Sequence, residues 1–133
     1  LMVLLAKYGI VIDEDDRSRR FLVEILGDRN YTITSFQSFK DLMNKWENRE
    51  PLDALFVPNV VIYNTEKSDD YGINQDTVVD FKVGLLRRMF PDSLRVVLST
   101  AKVDISPKEF RDGKFVVLEK PSTISDLVEL IDF

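Results

Sequence analysis

Four consecutive acids, Asp13-Glu14-Asp15-Asp16, follow directly on a short apolar run, Ile10-Val11-Ile12. The run is too short to separate strand from helix by periodicity, but its length and β-branched content favour a strand covered on both faces. Carboxylates at the end of such a strand lie at the carboxyl edge of a sheet, where open α/β folds place their sites. Adjacent anions repel, and burying them without compensation is costly. The arrangement therefore calls for a cation, either a divalent ion or an amine from elsewhere in the chain. Lys120, in Glu119-Lys120-Pro121, is the amine the sequence offers.

Other chemistries are excluded by composition. The chain has no histidine and no cysteine, which rules out Ser-His and Cys-His catalysis within it, thiolate metal sites and a disulfide framework. A net charge of −5 argues against binding nucleic acid or anionic lipid through a general electrostatic term. No apolar run approaches the ~20 residues of a membrane span, and Leu1–Leu5 lacks the flank and cleavage site of a signal peptide. A cytoplasmic setting is the expectation. At 133 residues the chain is expected to form one domain over 1–133, burying roughly two-thirds of its unfolded surface.

The elements that would position the acids follow from periodicity. Phe21, Leu22, Ile25 and Leu26 recur at helical spacing over Arg17–Leu26, with Gly27 as a stop. Tyr31–Phe36 reads as a second strand. Ser38 is a helix cap with Asp41 three residues on, and Phe39, Leu42, Met43 and Trp46 form a stripe whose plain reading is core packing.

Two apolar runs, Ala54–Val57 and Val60–Tyr63, flank Pro58-Asn59, and a proline there breaks a continuous central strand. Val60–Tyr63 is taken as the third strand, with Leu52–Val57 as part of the preceding connection. In the alternative, Ala54–Val57 is the strand and its tip moves to Pro58. A polar loop over Thr65–Gln75 precedes a helix over Asp76–Phe90, buried through Val78, Val79, Leu85, Leu86 and Met89. Pro91-Asp92-Ser93 ends it. Arg95–Ser99 is the fourth strand and Lys114–Glu119 the fifth. Between them, Ser106-Pro107-Lys108-Glu109 starts a helix that Asp112-Gly113 cuts short. Thr123 caps a last helix carrying Ile124, Leu127, Val128 and Ile131. Five strands alternating with five helical patterns predict a doubly wound parallel α/β sheet.

The residues at the predicted strand tips are Asp13-Glu14, Asn64, Thr100 and Lys120-Pro121. In this order, on these elements, they resemble the receiver domain of two-component response regulators. The resemblance covers nearly the whole chain and implies a flavodoxin-like five-stranded sheet of order 2-1-3-4-5 in an α/β/α sandwich. It matches Asp13 and Glu14 to the acids that hold magnesium, Thr100 to the phosphate-binding hydroxyl and Lys120 to the phosphate-binding lysine. It also implies a cis bond before Pro121.

The chain departs from that pattern where phosphorylation occurs. Asn64 stands where the family has its phosphoacceptor aspartate, and a carboxamide has no ionised oxygen to attack phosphorus. Under the alternative strand the position is Pro58, which is equally unreactive. Losing one anionic ligand also weakens magnesium, which prefers carboxylate oxygen. Val117 replaces the family's aromatic switch residue, and the fourth helix is short. The resemblance therefore implies an atypical receiver, a pseudo-receiver. It would need no cofactor, bind magnesium weakly at most, and act through a protein partner such as a signalling kinase or output domain. A homodimer is a further option, and neither nucleic acid nor membrane is an expected partner.

Plainer readings stand beside these. Asp13, Glu14 and Lys120 are also explained as a structural charge cluster, Thr100 as a strand-end hydroxyl, and Asp15 and Asp16 as acids at a helix N-terminus. Asn64 is then an amide bridging Lys120 and the acids. Ile10–Asp15 also resembles the Asp-x-Asp motif of haloacid-dehalogenase-type phosphohydrolases. That match makes Asp13 the nucleophile and Asp15 the acid/base, but Arg17 breaks the motif and a later acidic pair is missing. Anions after the first strand also disfavour a flavodoxin-like nucleotide site, which needs backbone donors there.

Overall fold

The structure, a computed structural model, describes residues 7–50, 57–65, 75–99, 115–119 and 123–131. Within them the chain runs β1 (Lys7–Ile12), α1 (Asp16–Gly27), β2 (Tyr31–Phe36), α2 (Phe39–Glu47), β3 (Val60–Asn64), α3 (Gln75–Met89), β4 (Leu94–Ser99), β5 (Phe115–Glu119) and α4 (Ile124–Ile131). All five strands pair in parallel, in the order β2-β1-β3-β4-β5. This is the doubly wound, flavodoxin-like sheet expected from the sequence.

Side-chain alternation along the strands divides the interior into two cores. Ile10, Ile12, Val61, Tyr63 and Val97 join Phe39 and Leu42 of α2 and Val83 and Leu86 of α3 on one face. Val11, Val60, Ile62 and Val96 join Leu22 and Leu26 of α1 and Leu127 and Ile131 of α4 on the other. Burial on both faces is why β1 and β3 are continuous apolar runs rather than alternating ones.

Asn59 sets the start of β3. Its backbone N–H donates to Tyr8 O at 2.7 Å and its carbonyl accepts from Leu94 N–H at 3.0 Å. Its side-chain oxygen also accepts from Tyr8 N–H at 2.9 Å. One residue thus aligns β3 with both neighbours, and Pro58, having no N–H, stays just outside the ladder with its carbonyl accepting from the Ser93 hydroxyl. Val60–Asn64 is therefore the third strand, and of the rival segment only Val57, an exposed residue, lies within the described part.

The helix ends follow their caps, with small differences from expectation. Asp15 caps α1 by accepting from Ser18 N–H at 2.9 Å. Gly27 is not the stop but the last residue of α1, and the left-handed residue that turns the chain is Asn30, with φ of 67°. Phe21, expected in the core, is 47% exposed, because Leu22, Ile25 and Leu26 already fill the inner face of α1. Ser38 caps α2 through Asp41 N–H at 3.1 Å as expected, and Met43 and Trp46 pack against the core only partly buried. α4 begins with a reciprocal box, in which Asp126 N–H donates to Thr123 Oγ1 and Thr123 N–H donates to Asp126 Oδ2. The Thr123 backbone and hydroxyl donors hold the Asp126 carboxyl below its ordinary value of 3.8.

α3 spans Gln75–Met89, one residue earlier than expected, and buries Val83, which the sequence reading passed over. The side chains of Val78 and Val79 lie outside the described part, as do Lys114 and the helix start expected at Ser106–Glu109. β4 begins at Leu94 and carries a fully buried cation, Arg95. Its guanidinium donates to Phe90 O at 2.7 Å and Pro91 O at 3.1 Å, at the C-terminus of α3. No helix among the described residues is long and apolar enough to cross a membrane.

Candidate functional site

The sheet order reverses between β1 and β3, and in open α/β sheets the crevice at such a point, outside the strand carboxyl ends, is where sites form. Ile12 pairs with Tyr63 in the β1–β3 register. The next residue on each strand, Asp13 and Asn64, therefore stands at the mouth of that crevice. Both are buried, Asp13 to 1% exposure and Asn64 to 8%.

Asp13 is held from all sides. Its backbone N–H donates to Phe36 O at 3.0 Å, extending the β1–β2 ladder by one rung. Its Oδ1 accepts from Asp15 N–H at 3.0 Å and its Oδ2 from Asn64 Nδ2 at 2.8 Å. Its carbonyl accepts from Arg19 Nη1 at 2.8 Å, while the other end of that guanidinium pairs with Asp16. The second amide hydrogen of Asn64 goes to Ser18 Oγ at 2.9 Å. The contacts themselves fix the orientation of the amide, since turning it over would set its oxygen against a carboxylate oxygen and leave Asp13 Oδ2 without its donor.

The amide thus ties β3 to the end of β1 and to the first turn of α1. Among the described residues its own oxygen, Asn64 Oδ1, is buried without a hydrogen-bond partner. Thr65 follows, buried, with its N–H and its hydroxyl both donating to Leu98 O at 2.9 and 3.0 Å. That double bond to β4 fixes the direction in which the chain leaves β3.

Of the acidic pair, only Asp13 turns inward, and Glu14 is exposed. Asp15 is occupied as the cap of α1. Thr100, Lys120 and Pro121 lie outside the described residues, although β4 and β5 end at the same edge with Ser99 paired to Glu119. Val117 is half-buried against the first core. Ser18 and Arg19 were not singled out from the sequence. Their positions in the first turn of a helix that follows an acidic strand end were the available signal.

The resemblance implies a magnesium ion at these acids. A divalent ion of this kind is held by oxygen ligands, carboxylates above all. Here one Asp13 oxygen faces a backbone N–H and the other an amide N–H, so a cation at either would have to displace or crowd a hydrogen-bond donor. No three carboxylates gather among the described residues. The described side chains do not fit a divalent ion.

No family model matches the sequence, and no curated protein matches it either. Similarity is found among solved structures. A response regulator from Burkholderia pseudomallei, with a phosphorylated aspartic acid, a calcium ion and citrate, superposes with a TM-score of 0.65 at 16% identity. The match covers 95% of this chain and 66% of that one, just under two-thirds of its length. A response regulator receiver domain protein from Clostridium thermocellum gives 0.65 at 18% identity over 95% and 91% of the two chains. An adenylate cyclase from Rhodopirellula baltica gives 0.67 at 15% identity over 96% and 86%. At these identities the likeness establishes the fold, the flavodoxin-like fold of receiver domains.

Proposed function

We propose that this chain is an atypical receiver module of two-component or phosphorelay signalling, acting through protein contacts without phosphorylation at the customary position. The observation that carries the reading is Asn64. Its amide ends β3 beside Asp13 and gives both hydrogens to groups that would otherwise need a cation or a water. A carboxamide cannot form an acyl phosphate, and the donors around Asp13 leave that buried carboxylate poorly placed to replace it as a nucleophile.

Metal binding at Asp13 and Glu14 is weak at most on this reading, and no cofactor is required. Lys120 is the donor proposed for the buried Asn64 oxygen, with Thr100 and Pro121 as relics of a phosphate site. The partner is a protein, a kinase or an output domain, met in the cytoplasm, with no nucleic acid bound by this domain. The phosphohydrolase reading finds no support in the geometry, because Asp15 caps a helix and Asp13 is closed off from solvent.

The test is incubation with magnesium and a small acyl-phosphate donor, followed by intact-mass measurement. The expected result is an unchanged mass. A covalent gain that hydroxylamine removes overturns the proposal.

A further inference from the structure

The outer face of α1 carries Arg17, Arg20, Phe21 and Glu24, at positions i, i+3, i+4 and i+7, one continuous stripe on a helix. All four are exposed, and they line a shallow surface depression of about 400 Å³. Among the described residues, neither the Arg17 nor the Glu24 side chain has a hydrogen-bonding or ionic partner. Arg19, by contrast, is committed to Asp13 and Asp16.

A single exposed phenylalanine needs no explanation. The order of the residues around it does. A two-fold axis crossing the helix between positions 20 and 21 carries Arg17 onto position 24 and Arg20 onto position 21. Two copies of α1 packed antiparallel about that axis would therefore oppose Arg17 to Glu24 and Arg20 to Phe21, each pair occurring twice. Self-complementarity of this kind is what an isologous contact requires. Guanidinium over a phenyl ring is a favourable pairing, and antiparallel packing also opposes the helix dipoles.

We propose that α1 is a self-association face, on which a second copy of this chain docks through Arg17, Arg20, Phe21 and Glu24. An unrelated acidic partner would satisfy the arginines but leave Glu24 against like charge, whereas a second copy satisfies all four. The chain as a whole carries −5, yet α1 holds three arginines against Asp16 and Glu24, so this helix does not share the overall negative charge that would oppose two copies. A contact between two helices of 12 residues falls in the small, transient class of interfaces, below about 1,200 Å². The dimer is accordingly weak and concentration-dependent. It supplies one partner for the module proposed above but does not depend on the absence of phosphorylation.

Sedimentation velocity of the full chain at rising concentration tests this, with Arg17→Glu, Glu24→Arg and the double variant compared. Each single reversal acts twice per dimer and is expected to weaken association about ten-fold, while the double variant recovers it to within about three-fold. Both replacements suit the helix dipole, with the acid near the N-terminus and the base near the C-terminus, so α1 is retained and circular dichroism verifies it. A wild-type chain monomeric up to about 1 mM overturns the proposal on size grounds. Dimers indifferent to the single reversals place the contact on another face, and a double variant as weak as the singles denies the pairing; either result overturns it. The measurement needs no phosphoryl donor, so its outcome is separate from that of the mass experiment.

Discussion

Asn64 does with hydrogen bonds what an ion would do with charge. Its Nδ2 lies 2.8 Å from Asp13 Oδ2 inside the protein, so an amide hydrogen compensates that buried carboxylate oxygen. Asn64→Asp removes both donated hydrogens and sets a second carboxylate against the first in a buried site, where the two repel. In metal-free buffer the variant is expected to lose about 1–3 kcal/mol of stability by denaturant titration. Adding magnesium is expected to recover much of that loss in the variant and to leave the wild type unchanged. A variant as stable as the wild type in the presence of a chelator would show that the amide is not compensating Asp13.

At the scale of elements, helix ends and strand starts are tied together by a few polar residues. Arg95 is the clearest case, a cation with no exposed surface on β4 whose guanidinium donates to the carbonyls of Phe90 and Pro91, just past the end of α3. Cations favour helix C-termini, and buried carbonyls left without a donor are costly. Arg95→Met keeps much of the stem packing and removes the donors. It is expected to cost about 2–3 kcal/mol, seen as a lower denaturation midpoint with an unchanged slope. An unchanged midpoint would mean that the Ser93 N–H, already 3.3 Å from Phe90 O, and solvent at Pro91 O suffice without the guanidinium. Arg95 stands at the start of the predicted fourth strand, Arg95–Ser99, where an arginine is expected to reach solvent, and nothing local to it in the sequence marks its burial.

For the molecule as a whole, the sheet separates two cores, and its strands contribute side chains to both. Leu26 lies in the second core with no exposed surface. Leu26→Ala is expected to cost about 3 kcal/mol and to lower the stability of both cores together in a single transition. Fluorescence of Trp46, which packs against the first core, and far-ultraviolet circular dichroism should therefore give coincident unfolding curves. Separate transitions would mean the two layers are independent.

Apolar runs, caps and turn residues were enough to pick out the strands, with Val60–Tyr63 preferred over Ala54–Val57 for the third, because each depends on residues close together in the chain. The strand order that brings Asp13 to Asn64, 51 residues apart, was implied by the family resemblance. The absence of a reactive carboxylate at the third tip was likewise legible from one residue type. Tertiary structure alone decided that Asn64 gives its hydrogens to Asp13 and Ser18, that Glu14 faces solvent while Asp13 does not, and that Phe21 lies outside while Arg95 lies inside. Those outcomes turn on which side of a packed helix or strand has room and which distant donor arrives within about 3 Å. Periodicity carries no information about either.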